Sequence, residues 1–211
     1  MKTVLCFGDS NTYGLNPHRK QSGNRRFDIN TRWTGILDKM ISPLDAKVAE
    51  EGLCGRTTIF DDRLRNDRNG SAVLPMLIDT HYPIDFAVIM LGTNDCKTYY
   101  NASPYLIGKG IERLINQIKS FDKNIKIMIV SPIYLGNGVG EKGFDEEFNQ
   151  ESVEKSYQLK KVYSEIAEKQ NCIFLAASDY AEPSEADREH IDKDGHRKLA
   201  EGIYSRLVKY I

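Results

Sequence analysis

Net charge is almost absent: 29 lysines and arginines meet 30 aspartates and glutamates, leaving a formal charge of -1. No field of one sign surrounds the molecule to gather nucleic acid or an anionic membrane surface, and neither partner is expected. Long hydrophobic runs are missing as well, none approaching the ~18 apolar residues of a membrane helix. The start offers only Thr3–Phe7 before a turn, against the roughly 7–15 apolar residues of a signal-peptide core. A cytosolic location is the expectation. Cysteine is scarce: Cys6, Cys54, Cys96 and Cys172 lack metal-ligand spacing and lie mostly in or beside apolar runs. Free thiols are expected rather than disulfides. There is no HExxH, no CxxC pair and no EF-hand spacing, so no metal is indicated and no cofactor is expected.

What is present is a regular alternation. A chain of 211 residues, 40% of them hydrophobic, is sized for one well-buried domain spanning residues 1–211. Five short apolar runs read as strands buried on both faces: Thr3–Phe7, Lys47–Glu51, Asp85–Leu91, Lys126–Ser131 and Cys172–Ala176. Helical spacing falls between and after them, over Arg32–Ile41, Val73–His81, Pro104–Phe121, Glu147–Gln170 and Asp194–Ile211. In the last, Leu199, Ile203, Leu207 and Ile211 mark one apolar face. The alternation predicts a three-layer α/β/α domain around a five-stranded parallel sheet of flavodoxin-like order 2-1-3-4-5, with ligands at the carboxyl ends of the strands. Gly136–Gln150, with four glycines and a cluster of acids, reads as a solvated surface loop in preference to a flap over a site.

Four loops then share one sheet edge. Strand 1 runs into Gly8-Asp9-Ser10-Asn11, and Gly52–Thr58 (GLCGRTT) follows strand 2. Strand 3 ends in Gly92-Thr93-Asn94-Asp95, and Asp187-Arg188-Glu189-His190 precedes the last helix. Acyl transfer asks for such a set. A serine hydroxyl is a weak nucleophile until an imidazole takes its proton, and the imidazole needs a carboxylate to fix its tautomer and stabilise its cation. The tetrahedral intermediate needs donors aimed at its oxyanion; the N–H groups of Ser10 and Gly55 and the amide of Asn94 are candidates.

These blocks resemble, in order and spacing, the four signature blocks of the SGNH-type (GDSL) hydrolases. EEGLCGRTT, DDRLRNDRNGSAVLP, IMLGTNDCKTYY and RWTGIL are similar to the arylesterase and acyltransferase branch of that family. The resemblance covers nearly the whole chain and is weakest from Gly136 to Asn149. It implies Ser10 as nucleophile, His190 as general base and Asp187 as its orienter, with Ser10, Gly55 and Asn94 as the oxyanion hole. It implies a serine esterase hydrolysing small aryl or acetyl esters through an acyl-enzyme, with acyl transfer to alcohols beside hydrolysis. A carbohydrate acetyl esterase or lysophospholipase is the alternative within the family; a non-catalytic flavodoxin-like binding domain is the alternative outside it. The partner is a small-molecule ester, and the resembling branch, whose members can form large assemblies, leaves a homo-oligomer open. One departure stands out: Arg188 occupies a position where the family commonly has glycine. A side chain there either narrows the site or demands another backbone angle, since glycine alone reaches positive φ cheaply.

Blander readings compete residue by residue. Ser10 is also a plausible helix N-cap, and Asn94 with Asp95 forms good turn chemistry. Asp9 and Asp95 read as carboxylates holding the loops by backbone hydrogen bonds. Arg56 reads as a structural partner of Asp61 or Asp62, with a substrate carboxylate as its other reading. Tyr13 and Trp33 are candidate pocket residues whose ordinary role would be core. Asp192, Asp194 and His196 offer a second Asp/His set, but Asp194 falls where a helix cap is expected and His196 in the first turn, a surface or capping position. His18 and His81 have no motif around them and read as surface or packing residues.

Overall fold

Successive side chains of a strand point to opposite faces, so a strand covered on both sides must be apolar throughout. The computed structural model describes residues 1–211, and its elements follow as β1 (Lys2–Gly8), α1 (Ser10–Tyr13), α2 (Arg19–Ser22), α3 (Trp33–Ile41), β2 (Ala46–Gly52), α4 (Gly70–His81), β3 (Phe86–Met90), α5 (Pro104–Phe121), β4 (Lys126–Ser131), α6 (Gln150–Gln170), β5 (Ile173–Ala176) and α7 (Lys193–Leu207). Leu5, Phe7, Ala87, Ile89, Ile127 and Ile129 project to one side and join the buried residues of α4, α5 and α6. Val4, Cys6, Val88, Met128 and Val130 project to the other and pack with α3 and α7. The strands are all parallel in the order β2-β1-β3-β4-β5, as the alternation predicts. Connections leave β1 and β3 in opposite directions, which opens a crevice at their carboxyl ends.

Helix starts explain where the predicted boundaries move. Asn69 accepts from Ser71 N at 3.1 Å and starts α4 at Gly70, ahead of its apolar period. Asn149 and Ser152 form a reciprocal capping box, so α6 begins at Gln150 and not at Glu147. Asp192, not Asp194, caps α7 by accepting from Gly195 N at 2.9 Å. Each cap satisfies N–H groups that the first helical turn leaves without partners. All four cysteines are free, and no helix is long and apolar enough to cross a membrane.

Candidate active site

Ser10 is not a cap. Asp9 is the N-cap of α1, its carboxylate accepting from Asn11 N at 2.9 Å, which leaves Ser10 as the first helical residue with its hydroxyl free for another partner. That partner is His190, whose Nε2 lies 2.8 Å from Ser10 Oγ. On the other side of the ring, Nδ1 lies 2.8 Å from Asp187 Oδ2. Asp187 Oδ1 accepts from the backbone N–H groups of Glu189 at 3.2 Å and His190 at 3.0 Å. The three-residue spacing thus folds into a turn that orients its own imidazole. Arg19, on α2, also donates to Asp187 Oδ2 at 2.7 Å.

The electrostatics follow from these contacts. Burial works to raise the pKa of Asp187, but the hydrogen bond and charge of His190, aided by Arg19, hold it well below the usual carboxylate range. Burial works to lower that of His190, and the negative charges of Glu189 and Asp187 outweigh it, leaving the imidazole above its ordinary value. Asp9 is pushed up to about 7 by burial, which its bond from Asn11 only partly offsets.

The other two blocks arrive from β2 and β3. Gly55 has φ +84°, a left-handed backbone that glycine adopts without steric cost, and its N–H makes no hydrogen bond within the chain. Asn94 is buried and spends one amide hydrogen on Arg56 O at 3.1 Å. Asp95 binds Thr58 N with both carboxylate oxygens, at 3.0 and 3.1 Å, and so locks the Gly55 loop to the Asn94 turn. Burial raises Asp95 to about 6 against the pull of those bonds. Asp9 and Asp95 therefore hold loops, as their positions suggest. Ser10, Gly55, Asn94 and His190 all line one cavity of about 460 Å³.

Several expectations need correcting. Tyr13 and Trp33 do not line this cavity. Tyr13 stacks under the Arg26 guanidinium at 4.3 Å, while Trp33 is fully buried and donates from Nε1 to Asn11 O at 3.1 Å. Arg56 pairs with neither Asp61 nor Asp62: it turns inward, lies over Phe7 and donates to the carbonyls of Gly8 and Glu51, and Asp62 goes to Arg65 at 2.7 Å. His196 is no surface residue. It is wholly buried, edge-on to Phe27, with Nδ1 accepting from Trp33 N at 3.3 Å, and burial pushes it down to about 3. His81 bonds Glu51 at 2.7 Å, away from the site.

Gly136–Gln150 is a surface loop over only part of its length, exposed at 141–143. Val139 and Phe148 sit in the core, Asp145 reaches the cavity wall, and Glu147 is gripped by Lys97 and Arg65. Arg188 explains part of this. Its φ is +60°, so the turn keeps a left-handed backbone despite the side chain. The guanidinium swings out of the cavity to Gly138 O at 3.0 Å and Glu141 at 2.8 Å, lying over the Phe144 ring at 4.0 Å. The residues missed in the sequence include all the charged ones on the wall apart from the histidine: Arg19, Arg25, Arg65, Lys97, Asp145 and Glu189. Glu189 lies within the Asp187–His190 block, one residue before the histidine.

Comparison with known proteins gives the family and the fold. The profile of the GDSL-like lipase/acylhydrolase family matches residues 6–199. A search of the curated proteins gives no match. Among solved structures, the M. smegmatis aryl esterase superposes with a TM-score of 0.90 at 31% identity, covering 100% of both chains. Est24, a carbohydrate acetylesterase from Sinorhizobium meliloti, gives 0.92 at 31%, again over 100% of both. A putative arylesterase from Agrobacterium tumefaciens gives 0.88 at 30% with the same coverage.

Proposed function

The chain belongs to the GDSL-like lipase/acylhydrolase family, and on that footing we propose that it is a serine ester hydrolase removing a small acyl group, acetyl in size, from a polar alcohol. One observation carries the reading: an unbroken relay of two 2.8 Å contacts from Ser10 through His190 to Asp187, opening on the same cavity as Gly55 and Asn94. In this reading His190 Nε2 takes the Ser10 proton as Oγ attacks the ester carbonyl, and Asp187 stabilises the imidazolium that forms. The N–H groups of Ser10 and Gly55 and the remaining Asn94 amide hydrogen receive the oxyanion. His190 then protonates the leaving alcohol and, in the second half-reaction, activates water; an alcohol in its place gives acyl transfer.

The wall supports a polar substrate over a lipid. Leu15 and Cys54 are its only hydrophobic members, so no apolar surface receives the long chain of a lysophospholipid, and the carbohydrate acetyl ester reading is favoured over the lysophospholipase one.

Fluorophosphonate labelling with peptide mapping tests the chemistry. The expected adduct is on Ser10 alone, and Ser10→Ala abolishes both labelling and turnover of p-nitrophenyl acetate. An unlabelled native protein, or turnover above a few per cent in Ser10→Ala, would leave the non-catalytic binding domain as the better reading.

A further inference from the structure

Glu189 has no part in that relay and yet is buried beside it. Its side chain is 8% exposed, and one carboxylate oxygen lies 3.5 Å from His190 Nε2, the nitrogen that also faces Ser10. Only its backbone is hydrogen-bonded: the N–H to Asp187, the carbonyl from Asn11. The carboxylate takes no hydrogen bond from the chain and forms part of the cavity wall. Neighbouring acids differ. Asp187 and Asp62 each hold an arginine, Asp95 holds Thr58, and Glu147 holds Lys97 and Arg65. Burying an ionisable group without donors costs folding free energy, so a carboxylate with no hydrogen bond, only the His190 ring nearby, and turned into a cavity points to something that arrives there.

We propose that Glu189 is a specificity-determining residue which accepts a hydrogen bond from a hydroxyl group on the alcohol half of the ester. The inference rests on the esterase reading above. To be protonated, the leaving oxygen must come within ~2.6–3.2 Å of a proton-donating nitrogen, here His190 Nε2. Glu189 stands 3.5 Å from the same nitrogen, so its carboxylate and the leaving oxygen are neighbours. A hydroxyl on the carbon adjacent to the one that bears the ester oxygen falls on it. An ionised carboxylate can only accept, and its bond to a hydroxyl is charge-assisted and short. An alcohol without hydroxyls leaves the carboxylate desolvated and without a hydrogen bond, which a site built for hydrogen bonding discriminates against strongly.

The test uses one acyl group on two alcohols: glycerol 1-acetate, which offers hydroxyls beside the ester, and propyl acetate, which offers none. The intact protein is expected to prefer the glycerol ester in kcat/KM, and Glu189→Leu to reduce that preference by at least about 10-fold. Glu189→Gln, which keeps the shape and an acceptor oxygen, falls between them and carries the test if the leucine variant does not fold. The melting temperature of Glu189→Leu is expected to hold or rise, because the buried charge is gone. A preference absent in the native protein, or unchanged in both variants, overturns the proposal. So does a fall in melting temperature with the preference intact, which would make Glu189 structural. Ser10→Ala, run on both esters, keeps the two readings apart: residual activity there refutes the esterase reading, while the ratio speaks only to Glu189.

Discussion

At the scale of the residue, two histidines show how surroundings divide identical chemistry. His190 is faced by Asp187 at Nδ1, by Glu189 and Ser10 at Nε2, and by the charges of Arg19 and Asp9 nearby. His196 meets an aromatic edge and a backbone N–H, and stays neutral. A general base must be unprotonated to act, so kcat/KM rises with pH through the pKa of His190. The acid limb for p-nitrophenyl acetate is expected above the ~6.5 of ordinary histidine, because the negative neighbours outweigh burial. Glu189→Gln removes one of them and should move the limb to lower pH. A pH–rate profile of both proteins checks this, and a limb that stays put or climbs in the variant contradicts the assignment of charges. The relay itself was legible because Ser10, Asp187 and His190 stand in ordered blocks at known chain positions. Glu189 was not. Its meaning depends on which side of the His190 ring it occupies, and spacing along a loop does not encode that.

At the scale of the element, the strands and long helices were legible and the cavity walls were not, for one reason. Burial on both faces leaves an apolar run in the sequence, and an amphipathic helix leaves a period. The segments 15–27 and 136–149 leave neither, because they are held by isolated buried side chains such as Val139 and Phe148 and by scattered polar contacts: Arg19 to Asp187, Lys20 to Gly143 O at 3.1 Å, Arg188 to Glu141. The departure at Arg188 was visible, but its resolution was not. The backbone stays left-handed, and the side chain becomes a clamp on the neighbouring loop. A non-glycine residue in that conformation costs about 1–2 kcal/mol, so the two ways of removing the clamp should differ. Arg188→Ala keeps the strain and loses the contacts; Arg188→Gly loses both. The glycine variant is expected to be the more stable by about 1 kcal/mol in urea unfolding, with both showing faster amide exchange over 138–148 and a raised KM. An alanine variant as stable as the glycine one would show that the turn is unstrained.

At the scale of the whole molecule, the sheet gathers four loops on one edge, and cross-ties hold them in register. Asn11 joins the first loop to the last, accepting from Ile191 N at 3.1 Å. Asp95 joins the second to the third through Thr58, and with it Gly55 to Asn94. The strand order made this convergence predictable, but not the ties, since Thr58 and Asp95 belong to different blocks. Asp95 carries a penalty that can be measured. Its carboxyl is fully buried and raised to about 6, against ~3.9 when unfolded. Between those values the folded protein holds a proton that the unfolded chain has lost, so stability from this group is fully present below about pH 4 and is lost as pH rises through about 6. One pKa unit corresponds to about 1.4 kcal/mol; over this window the loss is on the order of 2–3 kcal/mol. Asp95→Asn retains an oxygen able to accept from Thr58 and cannot ionise. Urea unfolding of both proteins from pH 4 to 8 should show native stability falling relative to the variant as pH rises, with the difference levelling off above about pH 7. If the two curves run parallel across the range, the carboxylate is already satisfied by Thr58 in its charged form. The tie between the loops then rests on charge-assisted bonds and not on a neutral acid.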